Sequence, residues 1–377
     1  MKKVVFVLPR MGLGGVERSF LGLMQYAPRQ ELDITLILLA SGGELLEDIP
    51  EWVHIRYASA GGGAEALRSN ISEMLKKLKM QRLFAFAKSV YHRVGPKLRH
   101  RKDHEIFDVA IAYSDGLATW YVADAIMAAK KVAFVHTDFL RAGYNARSEQ
   151  SVYQGFETIY FGSMLSRQHF LEALPELSLK TKLLPNCIDR KHIRLLAQEH
   201  CECLEPRVTH LMTVSRLSPE KGLEKIPVIL SKLRADGLKV HWYIVGGGSE
   251  EAHLRAEAIR LGVENSLTLL GPKKNPYPYM AQCDIYVQPS NYEGYCIALA
   301  EARALQLPCV ACSFSGAEEQ IQSGVTGFVS GMDASELYRS LKPLVESEGL
   351  RRVFQKNLAA ENHGSQAEVF VSWWQSL

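Results

Sequence analysis

The sequence predicts an α/β fold made of two Rossmann-like domains, each built on a parallel sheet. The chain has 377 residues, and at about 150 residues per domain this length suggests two domains. Short apolar runs alternate with helix-period segments almost throughout, which is typical of repeated βαβ units. The rhythm restarts after 189–207, where apolar periodicity fades and charge rises. We therefore predict a first domain at 1–188 and a second at 189–361.

The apolar runs predict strands in both halves. In the first half they lie at 4–8, 34–39, 109–112, 131–135, 158–161 and 182–184. In the second half they lie at 208–214, 240–245, 267–270, 285–288 and 308–311. Helices are expected to begin near Val16, Gly222 and Glu250, each just after a loop that follows a strand.

Composition excludes several classes of protein. With 47% hydrophobic and 23% charged residues, no part of the chain is expected to be disordered. The net charge of +3 argues against nucleic-acid binding by charge alone. Seven irregularly spaced cysteines argue against a disulfide framework and fit a reducing cytoplasm. Because no apolar run reaches the roughly 18 residues of a membrane-spanning helix, we expect a cytoplasmic protein without an integral anchor.

Cys309 and Cys312 have the spacing of half a zinc site. A second such pair is missing, and the segment is expected to be a buried strand. We therefore predict two core thiols and no metal site.

Two glycine loops follow predicted strands and precede helices, at Gly12–Gly15 and Gly246–Gly248. Glycines there allow close backbone approach to a ligand, and a helix N-terminus favours negative charge. Neither loop completes the dinucleotide fingerprint G-x-G-x-x-G, because Glu17 and Glu251 occupy the third glycine position. The incomplete fingerprint argues against a dehydrogenase. Each loop alone could be a tight turn, but two such loops in corresponding places of the two halves are better evidence for ligand binding.

Two cations follow the strand 208–214, namely Arg216 and Lys221. Open α/β sheets bind ligands at the carboxyl ends of their strands, and these two side chains suit a diphosphate there. The alternative is a solvated loop whose charges pair with Glu220 and Glu224.

A pair of glutamates follows the strand 285–288. Glu293 is predicted in a loop and Glu301 on the next helix, whose N-terminus is expected near 295–297. The free amides of that terminus could meet phosphate oxygens. The alternative is an acidic residue at a helix start together with a surface glutamate.

This ordered set resembles the retaining glycosyltransferases of the GT-B fold, the "glycosyl transferases group 1" type that builds bacterial polysaccharides and glycolipids. The resemblance implies two Rossmann-like domains facing across a cleft, with an acceptor-side first domain and a donor-binding second domain. It also implies that a last helix, at about 362–377, packs back on the first domain. The matching segments are 14–18, 214–222, 245–248, 293–301, 324–327 and the terminal Phe370, Trp373 and Trp374.

The resemblance also implies roles for individual residues. Arg216 and Lys221 would stabilise the departing nucleoside diphosphate, Glu301 would bind the ribose, and Glu293 would face the donor sugar. His136, just after a strand, would lie near the sugar and acceptor, although a histidine there is ordinarily structural. The remaining donor-side residues would be Gly14, Gly15, Gly246, Gly248, Gly294, Tyr295, Cys296 and Ile297. Asp115 and Gly116 would line the acceptor side.

The expected reaction moves a hexose or N-acetylhexosamine from a nucleotide sugar, with UDP preferred, to a glycan or lipid-linked acceptor. The paired cations make a metal unnecessary, and the chain contains no Asp-x-Asp motif; no cofactor is expected. No carboxylate is an obvious nucleophile, which favours a same-face attack assisted by the leaving phosphate. A sugar-nucleotide epimerase of similar fold and an inactive scaffold of a polysaccharide assembly complex are the alternatives.

Residues 72–102 carry ten Lys or Arg and one acidic residue, Glu73, interleaved with aromatic and aliphatic residues. This pattern predicts a basic amphipathic helix or helix pair, which could lie on an anionic membrane at about 1 kcal/mol per cation. A solvated helix packed by its apolar face is equally compatible with the pattern.

We expect reversible binding to anionic vesicles that weakens with salt, because exposed charges are screened over about 8 Å at physiological ionic strength. Replacing Lys76, Lys77, Lys79 and Arg82 with Gln should reduce cosedimentation while leaving UDP affinity intact. Equal cosedimentation of wild type and the quadruple variant at low salt would contradict this prediction.

Overall fold

The computed structural model describes residues 1–58, 105–202, 204, 208–361 and 366–377. It divides into two compact units, one of Met1–Cys187 with Ser365–Leu377 and one of Ile188–Gly364. The basic stretch 72–102 lies outside the described residues. Within the described ranges, no helix is both long and apolar enough to cross a bilayer.

The first unit is built on a seven-stranded parallel sheet with the order β3-β2-β1-β4-β5-β6-β7. Every strand predicted in this half is present, and β3 is an additional edge strand. All four of its residues are exposed, so it lacks the buried apolar run on which the prediction depends. The strands are β1 Lys2–Leu8, β2 Leu32–Leu38, β3 His54–Tyr57, β4 Ile106–Ala112, β5 Met127–Val135, β6 Thr158–Phe161 and β7 Thr181–Leu183.

Two described helices of this unit begin after polar N-cap side chains, and two begin after glycines. The Asn145 side chain accepts the Ser148 backbone N–H, and Ser163 accepts that of Ser166, which satisfies amide groups that the first turn leaves free. The helices are Gly15–Met24, Leu117–Ala125, Ala146–Gln154, Met164–Ala173 and Gln366–Ser376.

The last helix belongs to the core of the first unit. Phe370, Trp373 and Trp374 are buried in the same apolar cluster as the strand residue Phe6. The Trp374 ring meets the Phe6 ring edge-on at 5.9 Å, and its indole N–H donates to the backbone oxygen of Leu23 at 3.3 Å. The chain thus returns to its first unit after completing the second.

The second unit is built on a six-stranded parallel sheet with the order β10-β9-β8-β11-β12-β13. The five predicted strands are present, and β13 is additional. The sequence places a turn at 324–327, but Gly327 already pairs with Cys309 as the first residue of β13. The strands are β8 Thr209–Val214, β9 Val240–Val245, β10 Leu267–Gly271, β11 Ile285–Gln288, β12 Cys309–Cys312 and β13 Gly327–Ser330.

One helix start in this unit is predicted wrongly. The helix expected from Gly222 begins at Lys225, because Gly222 adopts a left-handed φ of +62° that no α-helix contains. A short 3-10 turn, Pro219–Lys221, comes before it. The helices of the unit are Arg190–Leu196, Lys225–Ala235, Glu251–Arg260, Tyr277–Ala281, Ile297–Ala304, Ala317–Gln320, Ala334–Glu346 and Glu348–Ala360.

Cys309 and Cys312 lie on β12, and both are fully buried. Burial raises the pKa of the Cys309 thiol to about 12. The prediction of two core thiols is confirmed.

Each sheet has one position where strand order reverses along the chain. In the first unit it lies between β1 and β4, and in the second between β8 and β11. Loops leaving two such neighbouring strands diverge to opposite faces of the sheet and open a crevice at its carboxyl edge. Functional side chains are therefore expected in the loops after β1, β4, β8 and β11.

Trp374→Ala should lower the free energy of unfolding of the first unit by about 3 to 5 kcal/mol, the usual cost of truncating a buried aromatic side chain. Urea denaturation, monitored by a spectroscopic signal from the first unit, measures this loss. The matched control is Val371→Ala, an exposed position on the same helix, which should change stability by less than about 0.5 kcal/mol. Equal effects of the two substitutions would contradict the role of Trp374.

Candidate active site

Lys221 and Glu293 form an ion pair at the reversal point of the second sheet. Lys221 ends the 3-10 turn after β8, and Glu293 lies in the loop after β11. The Lys221 ammonium donates to Oε1 of Glu293 at 2.7 Å, and the side chains are only 13% and 12% exposed. The structure therefore brings together two of the predicted residues, and the proposed pairing of Lys221 with Glu220 or Glu224 is replaced by this one.

A chain of buried polar side chains orients Glu293. The Ser290 hydroxyl donates to Oε1 of Glu293 at 2.8 Å, and the Gln288 amide donates to Ser290 Oγ at 2.8 Å. The Tyr286 hydroxyl in turn donates to Oε1 of Gln288 at 2.5 Å. Because these donors come from β11 and its exit loop, the strand itself sets the position of the carboxylate.

Arg216 lies outside this network. Its guanidinium donates to Oε1 of Glu220 at 3.2 Å, while the Arg216 side chain is 72% exposed. The Ser218 hydroxyl donates to the same oxygen at 2.6 Å. The alternative prediction, a solvated loop whose cations pair with nearby glutamates, is therefore correct for Arg216 and wrong for Lys221.

Gly246 and Gly248 let the loop after β9 pack against the loop that carries Arg216. A Cβ on Gly246 would lie 1.8 Å from the backbone oxygen of Ser215, and one on Gly248 would lie 2.2 Å from that of Leu217. Gly246 also has a φ of +148°, which side chains rarely adopt. These glycines are required by loop packing, whatever they contact in a bound ligand.

The loop Gly294–Cys296 leads into the helix Ile297–Ala304, which begins inside the predicted range. Cys296 precedes it in a left-handed conformation with φ +72°, a backbone strain of about 1–3 kcal/mol of the kind that concentrates at functional sites. The Gln320 side-chain amide holds this turn by donating to the backbone oxygen of Tyr295. Burial raises the pKa of the Cys296 thiol well above its usual range, so the residue stays a neutral thiol.

Glu301 lies on this helix and is only 4% exposed. Its Oε1 accepts a hydrogen bond from the Tyr277 hydroxyl at 2.6 Å. A buried carboxylate with a fixed donor has one defined orientation. Glu301 is therefore an oriented internal group, and the alternative of a surface glutamate is wrong.

In the first unit, Asp115 organises the carboxyl edge of the sheet. Its carboxylate accepts the hydroxyls of Thr137 at 2.7 Å and Tyr144 at 2.8 Å, and the backbone N–H of His136 at 3.2 Å. Asp115 follows β4 and His136 follows β5. The two predicted residues are thus brought into one network, with the carboxylate fixing the backbone that carries the imidazole.

The His136 ring lies beside the Tyr113 ring at 5.3 Å and the Phe134 ring at 5.9 Å. Its Nε2 is buried and accepts or donates no hydrogen bond within the described part of the chain. Burial lowers the pKa of His136, although the negative charge of Asp115 opposes that shift. The imidazole is therefore held neutral at physiological pH.

The predicted glycines of the first unit lie at helix starts. Gly14 is the N-cap of the helix that begins at Gly15, and Gly116 directly precedes the helix Leu117–Ala125. Both helices start at loops beside the reversal point between β1 and β4.

Sequence reasoning missed Tyr277 and the pair Gln288 and Ser290 in these networks. It also missed Lys225, a buried lysine at the start of the helix Lys225–Ala235. Tyr277 is itself uncharged and has no motif around it, and Pro289, Ser290 and Asn291 are residue types typical of a turn. The sequence does contain a sign that Lys225 is buried. Lys225 lies on the same helix face as Ile229 and Leu233, which are apolar and buried.

Comparison with known proteins identifies a family that the second unit matches. Residues 206–361 match the family described as glycosyl transferases group 1. The amylovoran biosynthesis glycosyltransferase AmsK of Erwinia amylovora is 29% identical over 265 residues, which is 59% of this chain and 65% of that enzyme.

A second relative is the N-acetylgalactosamine-N,N'-diacetylbacillosaminyl-diphospho-undecaprenol 4-alpha-N-acetylgalactosaminyltransferase of Campylobacter jejuni. It is 29% identical over 178 residues, which is 47% of each chain. The aligned region thus spans between about half and two thirds of these relatives' own lengths.

Among solved structures, Anabaena Alr3699/HepE in complex with UDP-glucose matches all of this chain and 99% of its own, with a TM-score of 0.74 and 19% identity. This likeness, together with the two parallel α/β units, confirms the predicted GT-B fold class. The fold therefore defines a GT-B protein. The second unit is similar to the glycosyl transferases group 1 over residues 206–361.

The lowered pKa of His136 predicts a specific pH dependence of stability. Below the ordinary histidine pKa of about 6.5 the unfolded chain binds a proton that the folded unit does not. Folding stability should therefore fall as the pH drops, by up to about 1.4 kcal/mol per pH unit from this one group. His136→Gln should remove that component, so urea unfolding at pH 7.5 and 5.5 should show a smaller loss in the variant.

His54→Gln is the matched control, because the His54 side chain is exposed in the same unit. It should retain the wild-type pH dependence. Parallel curves for wild type and the His136 variant would contradict a buried neutral imidazole.

Proposed function

We propose that the protein transfers a hexose or N-acetylhexosamine from a nucleotide sugar, with UDP preferred, to a glycan or lipid-linked acceptor of a cell-surface polysaccharide or glycolipid. The observation that carries this proposal is the largely buried Lys221–Glu293 pair at the reversal point of the second sheet. A cation and a carboxylate held together there match the two needs of the reaction. One stabilises the departing diphosphate, and the other binds hydroxyls of the sugar.

The names of related proteins support the substrate class. The Anabaena structure is a complex with UDP-glucose, the Campylobacter enzyme is named for a diphospho-undecaprenol acceptor, and the Erwinia enzyme for the polysaccharide amylovoran. We infer a nucleotide-sugar donor on the second unit and a saccharide acceptor on the first. The epimerase and scaffold alternatives gain no support from these names.

The second unit supplies the electrostatics that the reaction needs. The leaving diphosphate gains negative charge as the glycosidic bond breaks, and preorganised cations aimed at that charge lower the barrier. We assign this role to Lys221 and to Arg216, whose exposed guanidinium would exchange its bond to Glu220 for a ligand. The first amides of the helix Ile297–Ala304 add partial positive charge.

Glu293 and Glu301 have different surroundings, which supports different roles. The hydrogen bonds that Glu293 receives within the described residues all end on Oε1, which leaves Oε2 for hydroxyls of the donor sugar. Glu301, oriented by Tyr277, is assigned to the ribose. His136, neutral and fixed by Asp115, is assigned to the sugar and acceptor side.

We also propose that the reaction retains the configuration at the anomeric carbon and needs no metal. The acceptor would attack on the face that the diphosphate leaves, and a phosphate oxygen would take its proton. Lys221 and Arg216 supply the positive charge that a divalent cation would otherwise supply.

The test is a panel of UDP-sugars and other nucleotide sugars, each with and without saccharide and polyprenyl-diphosphate-linked acceptors, scored by nucleotide release. Release that requires an acceptor, survives EDTA and gives an α-linked product from an α-linked donor is the expected result. Free sugar formed without any acceptor would indicate the epimerase instead. Activity lost in EDTA and restored by Mg²⁺ or Mn²⁺ would refute metal independence.

Lys221→Ala and Arg216→Ala should each slow transfer more than they weaken donor binding, because their contacts strengthen as the diphosphate gains charge. We expect kcat to fall by about 100- to 1000-fold, as for loss of one transition-state donor. Steady-state kinetics with saturating acceptor measure kcat and KM separately.

Arg255→Ala, at an exposed helix position, is the control and should keep wild-type kinetics. An unchanged kcat with a raised KM in the Lys221 variant would indicate uniform binding of donor and transition state, contrary to the assigned role.

A further inference from the structure

Lys225 is a buried lysine that the proposed reaction does not use. It is the first residue of the helix Lys225–Ala235 and is only 8% exposed. Its ammonium donates to the backbone oxygen of Pro289 at 2.8 Å and to Oδ1 of Asn291 at 2.7 Å, and lies 3.9 Å from the Cys312 sulfur. A buried ammonium is stable only with such partners, and two of the three belong to the loop after β11.

Asn291 connects that loop to the loop after β8. Its backbone N–H donates to the backbone oxygen of Glu220 at 2.8 Å, and its side-chain Nδ2 donates to that of Pro219 at 3.0 Å. An ammonium can only donate hydrogen bonds, so it must face Oδ1 of the amide, which turns Nδ2 toward Pro219. Lys225 thereby sets which way the Asn291 side chain points.

The connection lies two residues from each charged group of the site. Pro219 comes two positions before Lys221, and Asn291 two positions before Glu293. The same two loops therefore meet twice, once through Asn291 and once through the ion pair at 2.7 Å. Among the described residues, no carboxylate lies within ion-pair distance of the Lys225 ammonium, whose charge is balanced by oxygen and sulfur dipoles alone.

We propose that Lys225 is a positioning residue for the donor site. Through Asn291 it fixes the two loops at the separation in which Lys221 and Glu293 can hold a diphosphate and a sugar. This inference rests on the proposed function, and it adds to that function a residue that contacts neither substrate nor reacting atoms.

The first test is Lys225→Met, which keeps the length of the side chain and removes its charge and donors. We expect kcat/KM for the donor to fall by about 10- to 100-fold, the loss typical of a charged hydrogen bond, with most of the loss in kcat. The matched control is Lys232→Met on the same helix, where the partly exposed lysine donates to Ser335 at the surface and lies 5.6 Å from the centre of the Tyr338 ring. It should stay within about twofold of wild type in the same assay. A Lys225 variant with wild-type kcat and KM, measured well below its melting temperature, would overturn the proposal.

The second test is a double-mutant cycle with Asn291→Ala. Because Lys225 acts through Asn291, the double variant should be no slower than the slower single variant. Multiplied losses would show that Lys225 acts independently of Asn291 and would overturn the proposal. If Lys225→Met does not fold, Asn291→Ala alone tests the proposal. A wild-type kcat in the Asn291 variant would overturn it.

UDP affinity, measured by calorimetry, separates this inference from the proposed function. Wild-type protein that binds UDP but transfers no sugar would refute the proposed function. The inference would then stand if Lys225→Met weakens UDP binding by about fivefold or more, and fall if the two affinities are equal.

Discussion

The ion pair between Lys221 and Glu293 is the constraint on which the geometry of the second unit's carboxyl edge depends. Two charges withdrawn from water are stable only when each is paired and their remaining bonds are made. The partners come from loops after β8 and β11, so the pair exists only because these two strands are neighbours in the sheet. The order of the strands is therefore a requirement of the electrostatics.

This requirement explains why so many uncharged groups surround the pair. Ser290, Gln288 and Tyr286 extend from Glu293 into the sheet as one hydrogen-bonded series. Such a series has a single orientation, because reversing one amide would place donor against donor. The first unit has a similar arrangement, in which the Asp115 carboxylate accepts three hydrogen bonds and fixes the backbone of His136. In both units a carboxylate near a strand end orders its loop before any ligand binds.

The sequence predicted the parts of this arrangement that leave a local signal. Buried strands show as apolar runs, and charged residues just after them predict side chains at the carboxyl edge, which identified Lys221 and Glu293. Asp115 was predicted from the family resemblance. The edge strand β3 was missed because it is exposed, and the helix start at Lys225 because Gly222 breaks the backbone.

Partners distant along the chain were beyond reach of the sequence. The hydrogen bonds from Tyr277 to Glu301 and from Lys225 to Asn291 depend on how strands and loops pack. The sequence around one partner contains no pattern that identifies the other partner. The sequence also gave Arg216 and Lys221 equal standing as cations. Only the packed structure distinguishes the exposed guanidinium of Arg216 from the largely buried ammonium of Lys221.

The return of the last helix to the first unit has a consequence for the order in which the molecule can be made. Phe370, Trp373 and Trp374 complete an apolar core whose other members lie mainly before residue 190. During synthesis the chain emerges from its N-terminus, and domains generally fold as they appear. The first unit must wait with part of its core uncovered while the whole second unit is translated, so the second unit is the first that can reach its final packing.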